Sequence, residues 1–480
     1  MKPEHYPEQP AHLWEHFYQI TRIPRPSKEE TAVRQYVIDQ AEAAGHSWRT
    51  DTQGNLVVSV PATGGLDQHG TVIIQNHLDM VTVKTEDKTH NFSTDPLSLQ
   101  VRDGWLLADR TTLGADNGVG CAAALAVMTD PDVAHPPLEL LFTVDEETGL
   151  GGALNLDAGV LSGTRMLNLD TEDWNELYIG CAGGGGWHFN RQFAQQALPP
   201  EAECWSLALK GLAGGHSGIE IHHQLGNAIK LLAQALAGVD GLQLVSFDAG
   251  VAHNVIPREA SALFACAPGQ GDVLAGQLPA LREAWLGYLP AADGALQFVM
   301  APATASRSLS GADTATVQRL ISLMPHGPQA YNLAQPADLV DLSINLARLT
   351  LVDGALFAES SYRFFNQEQS LPLQRTVLDL AAVFELEVTP DVGYPGWQPD
   401  FSSDLLAQGV ALHKRLFGFE PAVKAIHAGL ECGILKGKKD DLDILSFGPT
   451  IRGAHSPTER LEISTVTPFW QLLTTLLAEM

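Results

Sequence analysis

Apolar residues recur at three- and four-residue intervals over residues 11–21, where Leu13, Phe17 and Ile20 share one face, and this spacing predicts a helix. A second helix is predicted from the capping-box spacing of Ser27 and Glu30, running to about Ala44. The pattern then changes to short apolar runs of strand character: LVVSV at 56–60, TVIIQNH at 71–77 and LELLFTV at 138–144. SLQVRDGWLLAD (98–109) reads as a hairpin turning at Asp103-Gly104, and the Ala-rich DNGVGCAAALAVM (116–128) as a helix. Strands interleaved with helices in this order predict an α/β domain with a largely buried central mixed sheet between helices.

The pattern breaks at Cys181, where four glycines run from Gly183 to Gly186. Such a run is either a flexible linker or a place of close backbone approach. Strand-like WSLALKGL (205–212), a helix near Asn227–Leu236 and strand-like AESSYRFF (358–365) follow. Turn residues gather again in GYPGWQPD (393–400), a helix is expected after Asp400, and a helical tail starts at about Val466. Residues 1–183 and 398–480 are therefore expected to form one domain, interrupted by an inserted α+β domain at 184–397. No repeat of solenoid length is present.

Composition narrows the function classes. With 480 residues and 45% hydrophobic content the chain exceeds one ordinary domain. A formal charge of -27 argues against a nucleic-acid partner, whose phosphates it would repel. No apolar run reaches the length of a membrane span, and MKPEHYPEQP lacks the apolar stretch of a secretory signal, so a cytoplasmic location and no membrane partner are expected. Cys121, Cys181, Cys204, Cys266 and Cys432 are scattered and odd in number, with no CxxC pair, which fits a reducing compartment.

Five potential hard-metal ligands lie at the ends of predicted strands or in adjoining loops: His77, Asp116, Glu147, Asp170 and His455. Sites in open α/β sheets form at such ends. His77 closes TVIIQNH, and Asp79, two residues on, faces the same way in an extended segment, where a carboxylate can fix the imidazole tautomer. Asp116 precedes a helix in TLGADNGVG, a setting that by itself describes a cap. Asp145, Glu146 and Glu147 follow a buried strand, where three acids need a cation or solvent beside them. One glutamate there could bind metal while its neighbour takes a proton from water. Two imidazoles and three carboxylates divide over two metals as one histidine and one terminal carboxylate each, with one carboxylate bridging. Such nitrogen and oxygen donors suit zinc, with manganese or cobalt as substitutes.

NHLDMV (76–81), TLGADNGVG (112–120), DEETGLGGA (145–153), NLDTED (168–173) and GAHSPTE (453–459) resemble the aminoacyl-histidine dipeptidases, also called Xaa-His, β-alanyl-histidine or cytosolic non-specific dipeptidases. These belong with the co-catalytic zinc peptidases that include aminoacylase and glutamate carboxypeptidases. The likeness spans nearly the whole chain, through GCAGGGG, GGHSG, HNVIPR, PGWQPD and HAGLECG, with no departure at the metal or base positions. The resemblance implies two zinc ions per chain. Asp116 would bridge them, His77 and Asp170 would complete one site, and Glu147 and His455 the other. Asp79 would orient His77, Glu146 would act as general base and then acid, and the Asp116–Asn117 peptide would be cis.

The inserted region would be the lid, supplying His216, Asn254 and Arg363 to the substrate. Its length leaves both a monomer and a homodimer open. The expected reaction is hydrolysis of dipeptides with a free N-terminus, β-Ala-His among them. The alternatives are an aminoacylase or tripeptide aminopeptidase of the same chemistry, or a non-catalytic metal-binding scaffold, against which an intact Glu146 argues.

Overall fold

A computed structural model describes residues 2–333 and 339–480. The chain divides into two compact units: Met1–Cys181 with Trp397–Ala425 and Leu430–Met480, and Ala182–Gly396 with Ile426–Gly429.

The first unit is built on an eight-stranded sheet in the order Ser47–Thr50, Leu56–Val60, Leu138–Thr143, Val72–His77, Arg165–Asn168, Asp443–Ser446, Glu176–Cys181, Ala422–Ile426. Its four inner strands, from Leu138–Thr143 to Asp443–Ser446, run parallel; Ser47–Thr50, Leu56–Val60 and Glu176–Cys181 join antiparallel to their inner neighbours. Val72–His77 and Leu138–Thr143 are buried at every residue, which explains their unbroken apolar runs: a parallel strand covered on both faces has no polar side to alternate with. Helix Ala115–Thr129 packs on Val72–His77 and carries helix Ala11–Thr21 on its other side. Asp404–Phe417 packs on Asp443–Ser446, and the tail helix Ile463–Glu479 on Asp404–Phe417.

The second helix begins at Thr31, and the anticipated capping box does not form. Ser27 instead donates its hydroxyl to Asp79 Oδ2 at 2.7 Å, and Glu30 Oε1 accepts from the backbone N–H groups of Lys28 and Asp145. Both side chains are spent on the functional loops. The hairpin at 98–109 turns at Asp103 and Gly104, both with positive φ, between Leu99–Arg102 and Trp105–Ala108.

The second unit centres on a nine-stranded antiparallel sheet. Its path runs Gln297–Pro302, Glu203–Lys210, Ala260–Cys266, Gln243–Ala249, Val340–Val352, Ala355–Phe364, Gly183–Gln192, Glu387–Pro390, with Gly327–Tyr331 also on Val340–Val352. Helices Ala228–Leu236, Gln270–Leu286, Gly311–Leu323 and Gln367–Val383 pack on it around a separate core that includes Phe189, Leu207, Phe247, Phe264 and Leu346. The glycine run is not a linker. It opens the strand Gly183–Gln192, and a Cβ on Gly183 would lie 2.4 Å from the backbone nitrogen of Gly396, one on Gly186 2.5 Å from Asp391 Oδ2.

Candidate metal centre

The parallel inner strands deliver the acidic and imidazole side chains to one edge of the first unit's sheet. His77 is the last residue of its strand, Glu146 and Glu147 follow Leu138–Thr143, and Asp170 follows Arg165–Asn168. His455 lies in the loop between the short strands Ile451–Arg452 and Arg460–Glu462, and Asp116 in the first turn of Ala115–Thr129. The Asp116–Asn117 peptide is cis, and Asp145 and His455 have positive φ.

His77 Nε2 lies 3.0 Å from Asp116 Oδ1 and 3.3 Å from Asp170 Oδ1. His455 Nε2 lies 3.1 Å from Asp116 Oδ2 and 3.1 Å from Glu147 Oε2. The two oxygens of Asp116 thus belong to two donor groups. Each of His77–Asp116–Asp170, Asp116–Glu147–His455 and His77–Glu146–Glu147 offers ligand atoms within 4.8 Å of one another. Asp170 Oδ1 and Glu147 Oε1 are buried and make no hydrogen bond. One ring nitrogen facing two carboxylate oxygens, beside carboxylate oxygens without donors, is a set short of positive charge. It fits a divalent cation with nitrogen and oxygen ligands.

The titration behaviour has the same cause. His455, held by hydrogen bonds to Asp116 and Glu147, is raised to about 11. His77 is raised well above its ordinary value: burial opposes this, but Asp170, Asp116 and Asp79 outweigh it. A proton on each imidazole balances the carboxylates here, as a dication would. Burial, with the Asp116 and Glu147 charges, lifts Asp170 to about 6 against the pull of His77. Burial also lifts Glu146 well above the carboxylate range; His77 opposes, while Glu147, Asp170 and Glu431 add to it.

Asp79 is fully buried behind His77, with Oδ1 3.5 Å from His77 Nδ1. Its Oδ1 also accepts the backbone N–H of Glu146 and its Oδ2 that of Glu147, both at 3.1 Å. Burial would raise its pKa, but the bonds from His77, Ser27 and the Glu146 N–H hold it at about 2. One carboxylate thus lies against an imidazole and ties down the loop carrying both glutamates.

Several polar residues at this edge have no role in the sequence analysis. Glu431 is fully buried and accepts from Gln75 Nε2 at 2.6 Å and Thr143 Oγ1 at 2.5 Å. Gln75 in turn accepts from Asn168 Nδ2 at 2.5 Å, so a chain of amides and hydroxyls crosses the inner strands beneath the centre. Arg25 and Glu459 are also buried there. Glu431 in HAGLECG and Glu459 in GAHSPTE lie inside quoted motifs, which is the only signal that could have singled them out.

The remaining three predicted residues lie in the second unit. His216 pairs with Val255 across a two-stranded ladder, and Ser217 donates its N–H to the Asn254 carbonyl at 2.8 Å. His216 and Asn254 line one cavity of about 340 Å³. His216 Nδ1 accepts the N–H groups of Gly218 and Ile219, both at 3.2 Å, which places the ring proton on Nε2. Arg363 lines a different cavity, of about 330 Å³, and donates Nη1 to Tyr394 Oη at 3.0 Å. His216 and Arg363 nonetheless converge, since a Cβ on Gly218 would lie 3.0 Å from His216 Cε1 and 3.1 Å from Arg363 Nε. Arg363 Nε is buried without an acceptor. His427, which sequence reasoning missed, joins this group. It is buried, bonded to Ser343 Oγ at 2.8 Å, and lowered to about 3 by burial, Arg363, His216 and His222. His222 and His223, adjacent in sequence, pack ring to ring, and the carbonyl of His253 accepts from the side chains of Asn345 and Ser361.

Residues 73–479 match the model of peptidase family M20/M25/M40. The chain is 37% identical over 487 residues to the cytosol non-specific dipeptidase of Escherichia coli (strain K12), covering 98% of both chains. It is similar in structure to the aminoacylhistidine dipeptidase from Vibrio alginolyticus, with a TM-score of 0.89 and 35% identity over 98% of this chain and 97% of that one. Aminopeptidase PepT from Bacillus cereus, 14% identical with a TM-score of 0.55 over 98% of both chains, shares the fold.

Proposed function

The chain belongs to peptidase family M20/M25/M40, and from that premise we propose that it is a metal-dependent dipeptidase for substrates with a free N-terminus, Xaa-His dipeptides such as β-Ala-His included. One observation carries the reading: Asp116 turns Oδ1 to His77 and Oδ2 to His455, each nitrogen facing a further carboxylate. His77, Asp116 and Asp170 would hold one divalent ion and Asp116, Glu147 and His455 the other. Zinc suits these donors, and manganese or cobalt could replace it. Once bound, such a pair would polarise a peptide carbonyl and acidify a water.

The protein's own groups do the rest. Glu146 stands beside the ligands with its backbone fixed by Asp79, so its carboxylate is assigned the proton of the attacking water. It returns that proton to the leaving nitrogen as the C–N bond breaks, giving one carboxylate and one free amine. Asp79 keeps the proton of His77 on Nδ1, leaving Nε2 for metal. In the second unit, the Nε2–H of His216 is assigned to the developing oxyanion, and Asn254 and Arg363 to the substrate carboxylate. The tautomer of His216 and the acceptor-free Nε of Arg363 support that division.

Every metal donor comes from one unit of one chain, so the assignment holds for a monomer or a homodimer. A cytoplasmic location is supported by five free cysteines, and no helix among the described residues is long and apolar enough to cross a membrane.

The test is a dipeptide panel that includes β-Ala-His and N-acylated controls, assayed after chelation and after readdition of zinc, manganese or cobalt. Hydrolysis should vanish on chelation, return with two metal equivalents per chain, and fail on blocked N-termini. A protein holding two equivalents that turns over no dipeptide, or prefers an N-acyl amino acid, would refute the reading.

A further inference from the structure

Asp116 serves both of the triplets assigned a metal ion, so the centre depends on where the backbone of residues 113–116 is held relative to the loop that carries His455. Glu459 lies on that loop, four residues after His455, and is 2% exposed. Its Oε2 accepts the N–H groups of Leu113 at 2.7 Å and Gly114 at 2.9 Å. Its Oε1 accepts those of Ala115 at 2.8 Å and Asp116 at 3.3 Å. Four consecutive backbone donors at the start of a helix end on one carboxylate. Those of Gly114, Ala115 and Asp116 are among the groups a helix N-terminus leaves without intrahelical partners, and Gly114, the residue before the helix, has no side chain to satisfy them.

The carbonyl side of the same turn is held as well. Arg25 donates Nη2 to the Gly114 carbonyl, and Nη1 to the carbonyls of Leu78 at 2.8 Å and Asp79 at 2.6 Å. Neither residue offers a ligand atom to the triplets.

We infer that Glu459 is a positioning residue of the metal centre: its carboxylate ties the Asp116 turn to the His455 loop, and so sets the Asp116–Glu147–His455 triplet. The inference rests on the two-metal reading above. A cap that served stability alone would shift the folding equilibrium and leave the two metal affinities alike. A tie between two ligand-bearing segments must act on the ion those segments share.

Glu459→Gln is the informative change. The amide keeps one accepting oxygen and turns an NH₂ group toward two backbone donors, so half of the tie is lost at constant volume. Stepwise zinc titration of the metal-free full chain by calorimetry should show two equivalents for the unaltered protein. In Glu459→Gln one equivalent should keep its affinity, and the other should weaken by about 10–100-fold, the usual range for a partner behind a ligand. The weakened equivalent should be the one that His455→Ala abolishes. Turnover should fall at limiting zinc and recover at saturating zinc. Should Glu459→Gln fold poorly, Glu459→Asp, which keeps both oxygens one methylene short, should shift the same equivalent by a smaller factor. Two equivalents of unaltered affinity in the variants, or equal weakening of both, would overturn the inference. Fewer than two equivalents in the unaltered protein would instead overturn the two-metal reading.

Discussion

Asp116 and Glu146 both neighbour His77 and Glu147 and should fail in different ways. Asp116 presents one oxygen to the His77–Asp116–Asp170 triplet and the other to Asp116–Glu147–His455, so Asp116→Ala should weaken both metal equivalents, whereas loss of a terminal ligand weakens one. Metal content of the purified variant decides this, and retention of one equivalent at unaltered affinity would contradict it. Glu146 is assigned no metal, so Glu146→Gln should keep both equivalents and the fold while kcat falls by about 10²–10⁴-fold. Near-normal kcat in the metal-loaded variant would end its assignment as base. These candidates were legible because each lies beside a recognisable strand end or helix start, where an acid or histidine is conspicuous. Glu459 was not, because its partners are backbone N–H groups some 345 positions away, and a backbone donor leaves no mark on the sequence. Arg25 was hidden for the same reason, since its partners are carbonyls.

Among the elements, the pattern was most legible where one environment covers a whole segment. Helix Ala115–Thr129 is buried almost throughout, and its Ala- and Gly-rich sequence follows from close packing on Val72–His77. Ser27 and Glu30 had the right spacing for a helix cap, yet tertiary partners on the metal-centre loops took both. Most strands of the second unit escaped notice. Ala260–Cys266 and Val340–Val352 are rich in Ala, Leu and Ser, whose spacing does not separate a two-sided antiparallel strand from a helix. The helix–strand contact gives a prediction of its own. A Cβ on Gly120 would lie 2.2 Å from Asn76 Oδ1, 2.5 Å from Asn117 Oδ1 and 2.7 Å from the Leu169 carbonyl. Alanine would improve helix propensity by up to about 1 kcal/mol, but overpacking costs about 1–3 kcal/mol, so Gly120→Ala should be destabilising. Asn76 and Leu169 adjoin His77 and Asp170, so zinc affinity should fall with the urea midpoint. A variant more stable than the unaltered chain would show that the helix can move away at no cost.

For the molecule as a whole, the response to acid combines opposing contributions. A formal charge of -27 means that protonating surface carboxylates relieves repulsion. Carboxyls raised at the centre, such as Asp170, take up protons more readily in the folded chain, which also favours folding as pH falls. Buried histidines in both units act the other way. His16 bonds Tyr36 Oη at 2.8 Å and Thr129 Oγ1 at 2.9 Å, and burial lowers it to about 4. His326 accepts from Asn227 Nδ2 at 3.2 Å and is lowered to about 3, by burial and then by Lys230. An unfolded imidazole titrates near 6.5, so below that value the unfolded chain binds a proton that the folded one refuses. The stability each histidine contributes is therefore complete above pH 6.5 and is lost as pH falls toward its folded value. His16→Gln removes one such group and leaves the opposing contributions in place, so the difference between the two proteins isolates it. Above pH 7 that difference should be constant. Between pH 6.5 and 4 the unaltered chain should lose roughly 3 kcal/mol relative to His16→Gln, read from urea unfolding at each pH. His326→Gln should extend the same slope to about pH 3. A difference that does not change with pH would mean that the folded protein accepts a proton at His16 as readily as the unfolded chain does.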